Sequence, residues 1–152
     1  MTIALGLSLG EMVCRLNLKR LKSKDEKKQN KIIDSLIKKR QEVLSLIDKD
    51  ARAFGDLMGQ FKKGKKSAEL GAYFEKCTRA PLRMCVLAGE AAELMGTQEK
   101  ITNRFLMSDL EESELLLSAG WKAARLNVEI NLNGMNDDKR VQAVRQAVKL
   151  SW

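Results

Sequence analysis

The residues of this chain that could do chemistry lie at the two ends of one predicted helix. Ser108 and Asp109 open an apolar stretch, which closes on the run Leu126-Asn127-Val128-Glu129-Ile130-Asn131-Leu132. The 152 residues include no histidine, the side chain whose ordinary pKa makes it the usual proton carrier near neutrality. Acid–base chemistry would therefore fall to a carboxylate, a lysine, a cysteine or Tyr73 with a displaced pKa.

Length and composition indicate one folded domain over residues 1–152. A chain of this length can bury a substantial core, and its hydrophobic content of 44% and charged content of 32% are ordinary for a globular protein. No stretch approaches the roughly 20 apolar residues that cross a bilayer. We therefore expect no membrane partner.

The three cysteines, Cys14, Cys77 and Cys85, show neither the spacing of metal ligands nor a disulfide framework. Cysteine is among the residue types most often buried, so packing is the favoured interpretation for all three. We therefore expect reduced thiols in a cytoplasmic protein, and no bound metal.

Positive charge is concentrated in two stretches of a chain with a net charge of +8. Residues 19–40 hold ten of the 28 basic residues, and Lys62, Lys63, Lys65 and Lys66 form a second cluster. A solvated face and helix-end lysines are the favoured interpretation. The basic stretches contain no interleaved aromatic residues, which makes nucleic acid an unlikely partner, whereas small polyanions stay open.

A single proline and few β-branched clusters predict an all-α protein, an antiparallel bundle of about five long helices. Ser67 is placed to cap the third helix, and Pro81 should kink or interrupt it. The predicted helices run over about residues 2–22, 26–62, 67–95, 108–131 and 137–150.

The second predicted helix has the clearest pattern. Its apolar residues recur every 3.5 positions, with Arg40 as the only interruption, which predicts lengthwise packing against a neighbour. The seam consists of Ile33, Ile37, Leu44, Ile47, Ala51, Phe54, Met58 and Phe61. Together with apolar positions on the first and fourth helices, it offers more apolar surface than one small bundle needs.

Several motifs in one order resemble those of a known protein family. Residues 48–54 are similar to its Asp-x-Asp-Ala-x-Ala-Phe signature, and residues 126–132 are similar to its Leu-Asn-Val-x-Ile-Asn-Leu run. Weaker matches are Met12-Val13 with Leu16, Pro81-Leu82, and Asn103, Ser108 and Asp109 within an Asn-Pro-Asn-Ala-x-Ser-Asp loop. These motifs span nearly the whole chain, and in this order they resemble the cyclodeaminase/cyclohydrolase family of folate enzymes.

The resemblance implies a homodimer that acts in folate one-carbon metabolism. A cyclodeaminase closes a formimino group onto a second folate nitrogen and releases ammonia, whereas a cyclohydrolase adds water to the methenyl carbon. The substrate would be a tetrahydrofolate derivative, with no further cofactor. Two alternatives stay open, a non-catalytic relative that forms a helical dimer or binds folate, and a basic scaffold for an acidic partner.

Two carboxylates are the catalytic candidates. Asp109 is the first, because it belongs to the matched Ser-Asp pair at a predicted helix start; a helix cap is its structural alternative. Asp50 is the second, because it lies beside the seam residue Ala51, where partial burial would raise the pKa of its carboxyl group. A hydrogen bond to a neighbouring helix is the alternative for Asp50.

Four residues are the substrate-binding candidates by the same resemblance: Asn103, Ser108, Asn127 and Asn131. Asn127 and Asn131 lie four residues apart and share one helix face, where they could instead tie helices together.

Two expectations concern the ends of the first and second helices. Family members carry a Pro-Gly-Gly-Gly-Ser segment ahead of the first helix, and this chain begins inside that helix. We interpret the chain as N-terminally shortened and expect slow turnover, since such glycines offer backbone donors to a ligand.

The lysines of residues 62–66 are candidates for attracting the polyglutamate tail of a folate.

Overall fold

The computed structural model describes residues 1–66 and 69–152, apart from the side chains of residues 23 and 24. Within these residues it contains five α-helices and no strand, which confirms the predicted all-α architecture. The helices are α1 (Thr2–Leu18), α2 (Ser23–Lys62), α3 (Gly71–Gly96), α4 (Met107–Leu132) and α5 (Asp138–Leu150). A short 3-10 helix, Arg104–Leu106, precedes α4.

The first four helices form an antiparallel ring in which α1 contacts α2 and α4, and α3 contacts the same two helices from the other side. Glycines allow α1 and α4 to approach closely. A Cβ atom at Gly120 would collide with Ile3, and one at Gly6 would lie 3.1 Å from the carbonyl oxygen of Ser113. The Ser113 hydroxyl donates to the carbonyl oxygen of Gly6 at 2.8 Å, which fixes the register of this pair.

The helix α1 is much shorter than its neighbours. Its first turn lies against Gly120, and α4 continues for about 18 Å beyond that point. On the other side Glu11 pairs with Arg40, so α2 runs about 20 Å past the start of α1. We call the space beyond the start of α1, between the C-terminal halves of α2 and α4, the notch.

The notch explains where the predicted seam of α2 is wrong. Ile33 of that seam is buried, but Leu44 is 46% exposed, Phe54 56% and Phe61 37%. Phe54 and Phe61 lie beyond the start of α1, so α1 offers them no packing surface. Leu44, four residues after Arg40, lies alongside α1 but outside the buried stripe. The buried stripe of α2 comprises Ile32, Ile33, Leu36, Val43, Leu46 and Leu57.

Most predicted helix ends are confirmed within a few residues. The second helix ends at Lys62, and Gly64 follows with a φ of +80°, a conformation that favours glycine. The first helix ends at Leu18, earlier than predicted. The expected cap Ser67 lies outside the described residues.

Pro81 lies inside α3, which continues through it, so the predicted interruption is absent. In the described residues, no helix is long and apolar enough to cross a membrane.

Candidate functional site

The predicted site residues fall into two groups at opposite ends of α4. Ser108 and Asp109 belong to its first turn, whereas Asn127 and Asn131 belong to its last two turns. Because an α-helix rises 1.5 Å per residue, Asp109 and Asn131 are about 33 Å apart. One chain therefore cannot bring both groups to the same small molecule.

Asp50 and Asn131 both lie near Cys77, one on α2 and the other on α4. The Nδ2 of Asn131 donates to the carbonyl oxygen of Cys77 at 3.0 Å. Asp50 lies close enough that its negative charge adds to burial in raising the pKa of the Cys77 thiol. The notch thus has a carboxylate from α2 on one side and an amide from α4 on the other.

Asp50 has the electrostatic property expected of it. The side chain is half-buried, and this burial raises the pKa of the carboxyl group above its ordinary value. Ala51, the seam residue expected to bury Asp50, is itself exposed, so the burial of Asp50 does not come from a buried Ala51. A carboxyl group of this kind is suited to carrying a proton.

Pro81 explains why Asn131 bonds to this carbonyl group. In a helix the N–H of residue 81 would donate to the carbonyl oxygen of Cys77, and proline has no N–H. The Asn131 amide supplies the missing donor from the neighbouring helix. The structural alternative for Asn131, a tie between helices, is what the contact shows.

Asn127 lies one turn before Asn131 and is exposed. Within the described residues its side chain makes no hydrogen bond, so both its donor and its acceptor face water. It is thus an exposed amide on the α4 side of the notch.

The second group lies where α4 begins. The Oδ1 of Asn103 accepts a hydrogen bond from the backbone N–H of Phe105 at 2.9 Å and caps the 3-10 helix. The cap position of α4 is Leu106, so neither Ser108 nor Asp109 is the cap. Ser108 is exposed and Asp109 half-buried.

A cleft of about 680 Å³ adjoins this second group and holds two cations that sequence reasoning missed. Arg20, which follows α1, and Arg104 line it together with Asn103 and Phe105. The Arg104 guanidinium lies 4.7 Å from the centre of the Phe105 ring, which is 71% exposed. Arg104 and Phe105 are part of the loop that carries Asn103, but only the fold places Arg20 beside them.

One further carboxyl group among the described residues has a raised pKa. Burial raises the pKa of Glu114 on α4, and the nearby charges of Glu99 and Glu111 raise it further. Three acidic residues within four positions on α4 are the only sequence signal for this cluster.

The cysteines are buried and free, as predicted. Burial raises the pKa of Cys14 to about 12 and that of Cys85 to about 11. These two thiols stay protonated at neutral pH and are therefore poor nucleophiles.

Comparison with known proteins places this geometry in context. The family model described as formiminotransferase-cyclodeaminase matches residues 1–150. The chain is 26% identical over 143 residues to the methenyltetrahydrofolate cyclohydrolase of Methylorubrum extorquens, a match covering 88% of this chain and 69% of that protein. It is 25% identical over 154 residues to the formimidoyltransferase-cyclodeaminase of Rattus norvegicus, which covers 95% of this chain but 28% of the rat protein.

A crystal structure of formiminotetrahydrofolate cyclodeaminase from Thermotoga maritima has the same fold. The superposition has a TM-score of 0.81 at 22% sequence identity and covers 99% of this chain and 79% of the other. The helical arrangement described above is therefore that of a known fold.

Proposed function

Because the chain belongs to the formiminotransferase-cyclodeaminase family, we propose that it acts in folate one-carbon metabolism on a tetrahydrofolate derivative. The reaction is either the cyclodeamination of a formimino group or the hydrolysis of the methenyl bridge. The family match over residues 1–150 supports this reaction class. Each of the two relatives is named for one of these activities.

Both reactions need a group that moves protons at one carbon atom. In cyclodeamination the second folate nitrogen attacks the formimino carbon, the bond from that carbon to the imino nitrogen breaks, and ammonia leaves after accepting a proton. In hydrolysis a water molecule adds to the methenyl carbon and loses a proton, and one carbon–nitrogen bond then breaks. A carboxyl group with a raised pKa serves either direction of proton transfer.

Asp50 is the residue of the notch with this property. We assign it the proton transfer, with Asn127 and the free Oδ1 of Asn131 as hydrogen-bonding partners for the edge of the folate ring. A non-catalytic relative is the second candidate, and the specific observation that favours it is the commitment of the Asn131 Nδ2 to the backbone of α3.

We also propose a homodimer. The exposed apolar residues Leu44, Phe54 and Phe61 form a stripe along α2, and exposing such a stripe to water is unfavourable. A second copy could also bring the second group of site residues to the notch, which one chain cannot do. If Ser108 and Asp109 contact the substrate held at the notch, they come from the other copy, since about 33 Å separates Asp109 from Asn131 in one chain.

The cluster Lys62, Lys63, Lys65 and Lys66 lies at the same end of the bundle as the notch, and all four side chains are exposed. We propose that it attracts the polyglutamate tail of the substrate. Lysines at the end of α2 and just beyond it also stabilise the negative pole of that helix, so the charge has a structural role in addition.

The absorbance of methenyltetrahydrofolate tests the reaction. The purified chain should form this chromophore from formimidoyltetrahydrofolate or consume it by hydrolysis. Asp50→Asn should lower turnover about a hundredfold or more, as expected for loss of a general acid or base. Asp48→Asn removes the same charge from an exposed position on the same helix and is the matched control.

Asp109→Asn tests the second carboxylate in the same assay. A loss in Asp109→Asn that is complemented by mixing with Asp50→Asn protein would place the two residues in different copies. Absence of turnover of either substrate, with folate binding intact, would contradict the enzymatic proposal and leave the non-catalytic relative.

A further inference from the structure

A second concave surface lies between α1 and the first half of α2, which we call the groove. Its volume is about 610 Å³, within the range of roughly 300–1,000 Å³ typical of small-molecule sites. Arg40 lines it, ten residues before Asp50, so it is about 15 Å along α2 from the proposed catalytic carboxylate. None of the predicted site residues lines the groove.

One part of the groove is apolar. Met12, Leu16 and Leu18 of α1 line it. Met12 is 38% exposed, and the two leucines are half-buried. This wall can cover a hydrocarbon or aromatic body of modest size.

The other part is built around a buried carboxylate. Glu11 is 9% exposed, and both of its oxygens are engaged. Oε1 accepts from the Nε of Arg15 at 2.8 Å, and Oε2 accepts from the Nη1 of Arg40. The Nη1 of Arg40 also donates to the hydroxyl of Ser8 at 3.3 Å. Glu11 therefore holds two guanidinium groups in fixed positions at the groove.

The groove nevertheless keeps an excess of positive charge. Lys19 is the third cation that lines it, so three cations face a single carboxylate. The side chain of Arg15 is 57% exposed, and among the described residues only its Nε is hydrogen-bonded. The remaining donors of Arg15 and the ammonium group of Lys19 can pair with an anion, and such charge-assisted bonds are the stronger kind.

We propose that the groove binds a small organic acid with an apolar body. Its carboxylate pairs with Arg15 and Lys19, and its body lies on Met12 and Leu16. A neutral apolar ligand leaves the excess charge without a partner, and a fully polar anion leaves the apolar wall in water. The site does not depend on the folate chemistry proposed for the notch.

Calorimetric titration of the full chain with octanoate tests this proposal, with octanol as a neutral molecule of nearly the same shape. We expect saturable binding of octanoate and affinity for octanol that is at least about tenfold weaker. Arg15→Gln combined with Lys19→Gln should weaken octanoate binding about tenfold or more. Both side chains are exposed, so this variant keeps the Glu11–Arg40 pair and the fold.

The matched control is Lys122→Gln combined with Lys149→Gln, which removes the same charge from exposed positions outside the groove. It should bind octanoate like the unaltered chain. Met12→Asp should also weaken binding, because it places a negative charge on the apolar wall. Absence of saturable octanoate binding, equal affinity for octanol, or equal binding by the groove variant and the control would each overturn the proposal.

Discussion

Asn131 supplies the hydrogen bond that Pro81 removes. Proline at position 81 leaves the carbonyl oxygen of Cys77 without its helical donor, and the Asn131 Nδ2 donates to that oxygen at 3.0 Å from the opposite helix. The bond explains how a buried proline is tolerated inside α3. It also holds α3 and α4 in register beside the notch, where Asp50 lies.

Removing this donor should destabilise the fold. We expect Asn131→Ala to lower the free energy of unfolding by about 1–3 kcal/mol, because the carbonyl group of Cys77 becomes buried and unsatisfied. Asn127→Ala, an exposed change one turn earlier, should cost less than about 0.5 kcal/mol. Denaturation with urea measures both.

A double variant separates this explanation from simple loss of packing. Pro81→Ala restores a backbone N–H at position 81, and this group can donate to the carbonyl oxygen of Cys77. The loss caused by Asn131→Ala should therefore be smaller in the Pro81→Ala background than in the unaltered chain. Equal losses in the two backgrounds would contradict the role of Asn131 as the replacement donor.

The pKa of Asp50 makes a prediction about stability. Burial raises the pKa of the folded group above the unfolded value of 3.8. As the pH rises through 3.8, the carboxyl group of Asp50 ionises in the unfolded chain before it ionises in the folded one. The free energy of unfolding therefore falls as the pH rises, and it stops falling once the folded group has ionised as well. Asp50→Asn has no such cost.

The difference in free energy of unfolding between Asp50→Asn and the unaltered chain should therefore change in favour of the variant as the pH rises above 3.8. This gain should level off above the raised pKa of Asp50. Denaturation at a series of pH values measures it. Asp48→Asn controls for the loss of one charge on the same helix. A gain that is largest at acid pH would show that burial does not raise this pKa.

The sequence predicted the helices well because the residues that start or end a helix lie close to its boundaries. Gly64 ends one helix, Asp137 caps another by accepting from the backbone N–H of Arg140 at 3.1 Å, and both signals lie within a few residues of the boundary. Membership of the family was also readable, because whole motifs survive in order.

Contacts between distant residues were not readable in the same way. Arg40 interrupts the α2 seam because it pairs with Glu11, which lies 29 residues earlier in the sequence. The Asn131–Cys77 bond spans 54 residues. The α2 sequence has two apolar stripes, and the choice of the buried one depends on how far α1 extends along α2, which only packing decides.

The exposed stripe of α2 predicts self-association. The chain has a mass of 17.1 kDa, and at micromolar concentration it should sediment with twice that mass. Phe54→Glu places a charge on the stripe and should produce a monomer. Leu150→Glu is the control, because Leu150 is also exposed but lies at the end of α5, outside the stripe and both groups of site residues.

Sedimentation velocity at several concentrations decides this prediction. A monomer formed by the unaltered chain would remove the dimer and, with it, the sharing of one substrate between Asp50 and Asp109. Dissociation by Leu150→Glu alone would place the interface at α5 and not at the α2 stripe.

The lysines beyond α2 predict a dependence on the folate tail and on salt. A polyglutamylated folate should bind more tightly than the monoglutamate at low salt, and the difference should shrink as salt screens the charges of Lys62, Lys63, Lys65 and Lys66. Changing Lys62 and Lys63 to glutamine should reduce the advantage of the long tail, which equilibrium binding measures. Changing Lys27 and Lys31, exposed on the N-terminal half of α2, removes the same charge far from the notch and should leave the advantage intact. Equal affinity for both tails at all salt concentrations would exclude a role for the cluster in substrate capture and leave its lysines with the structural role of balancing the helix dipole.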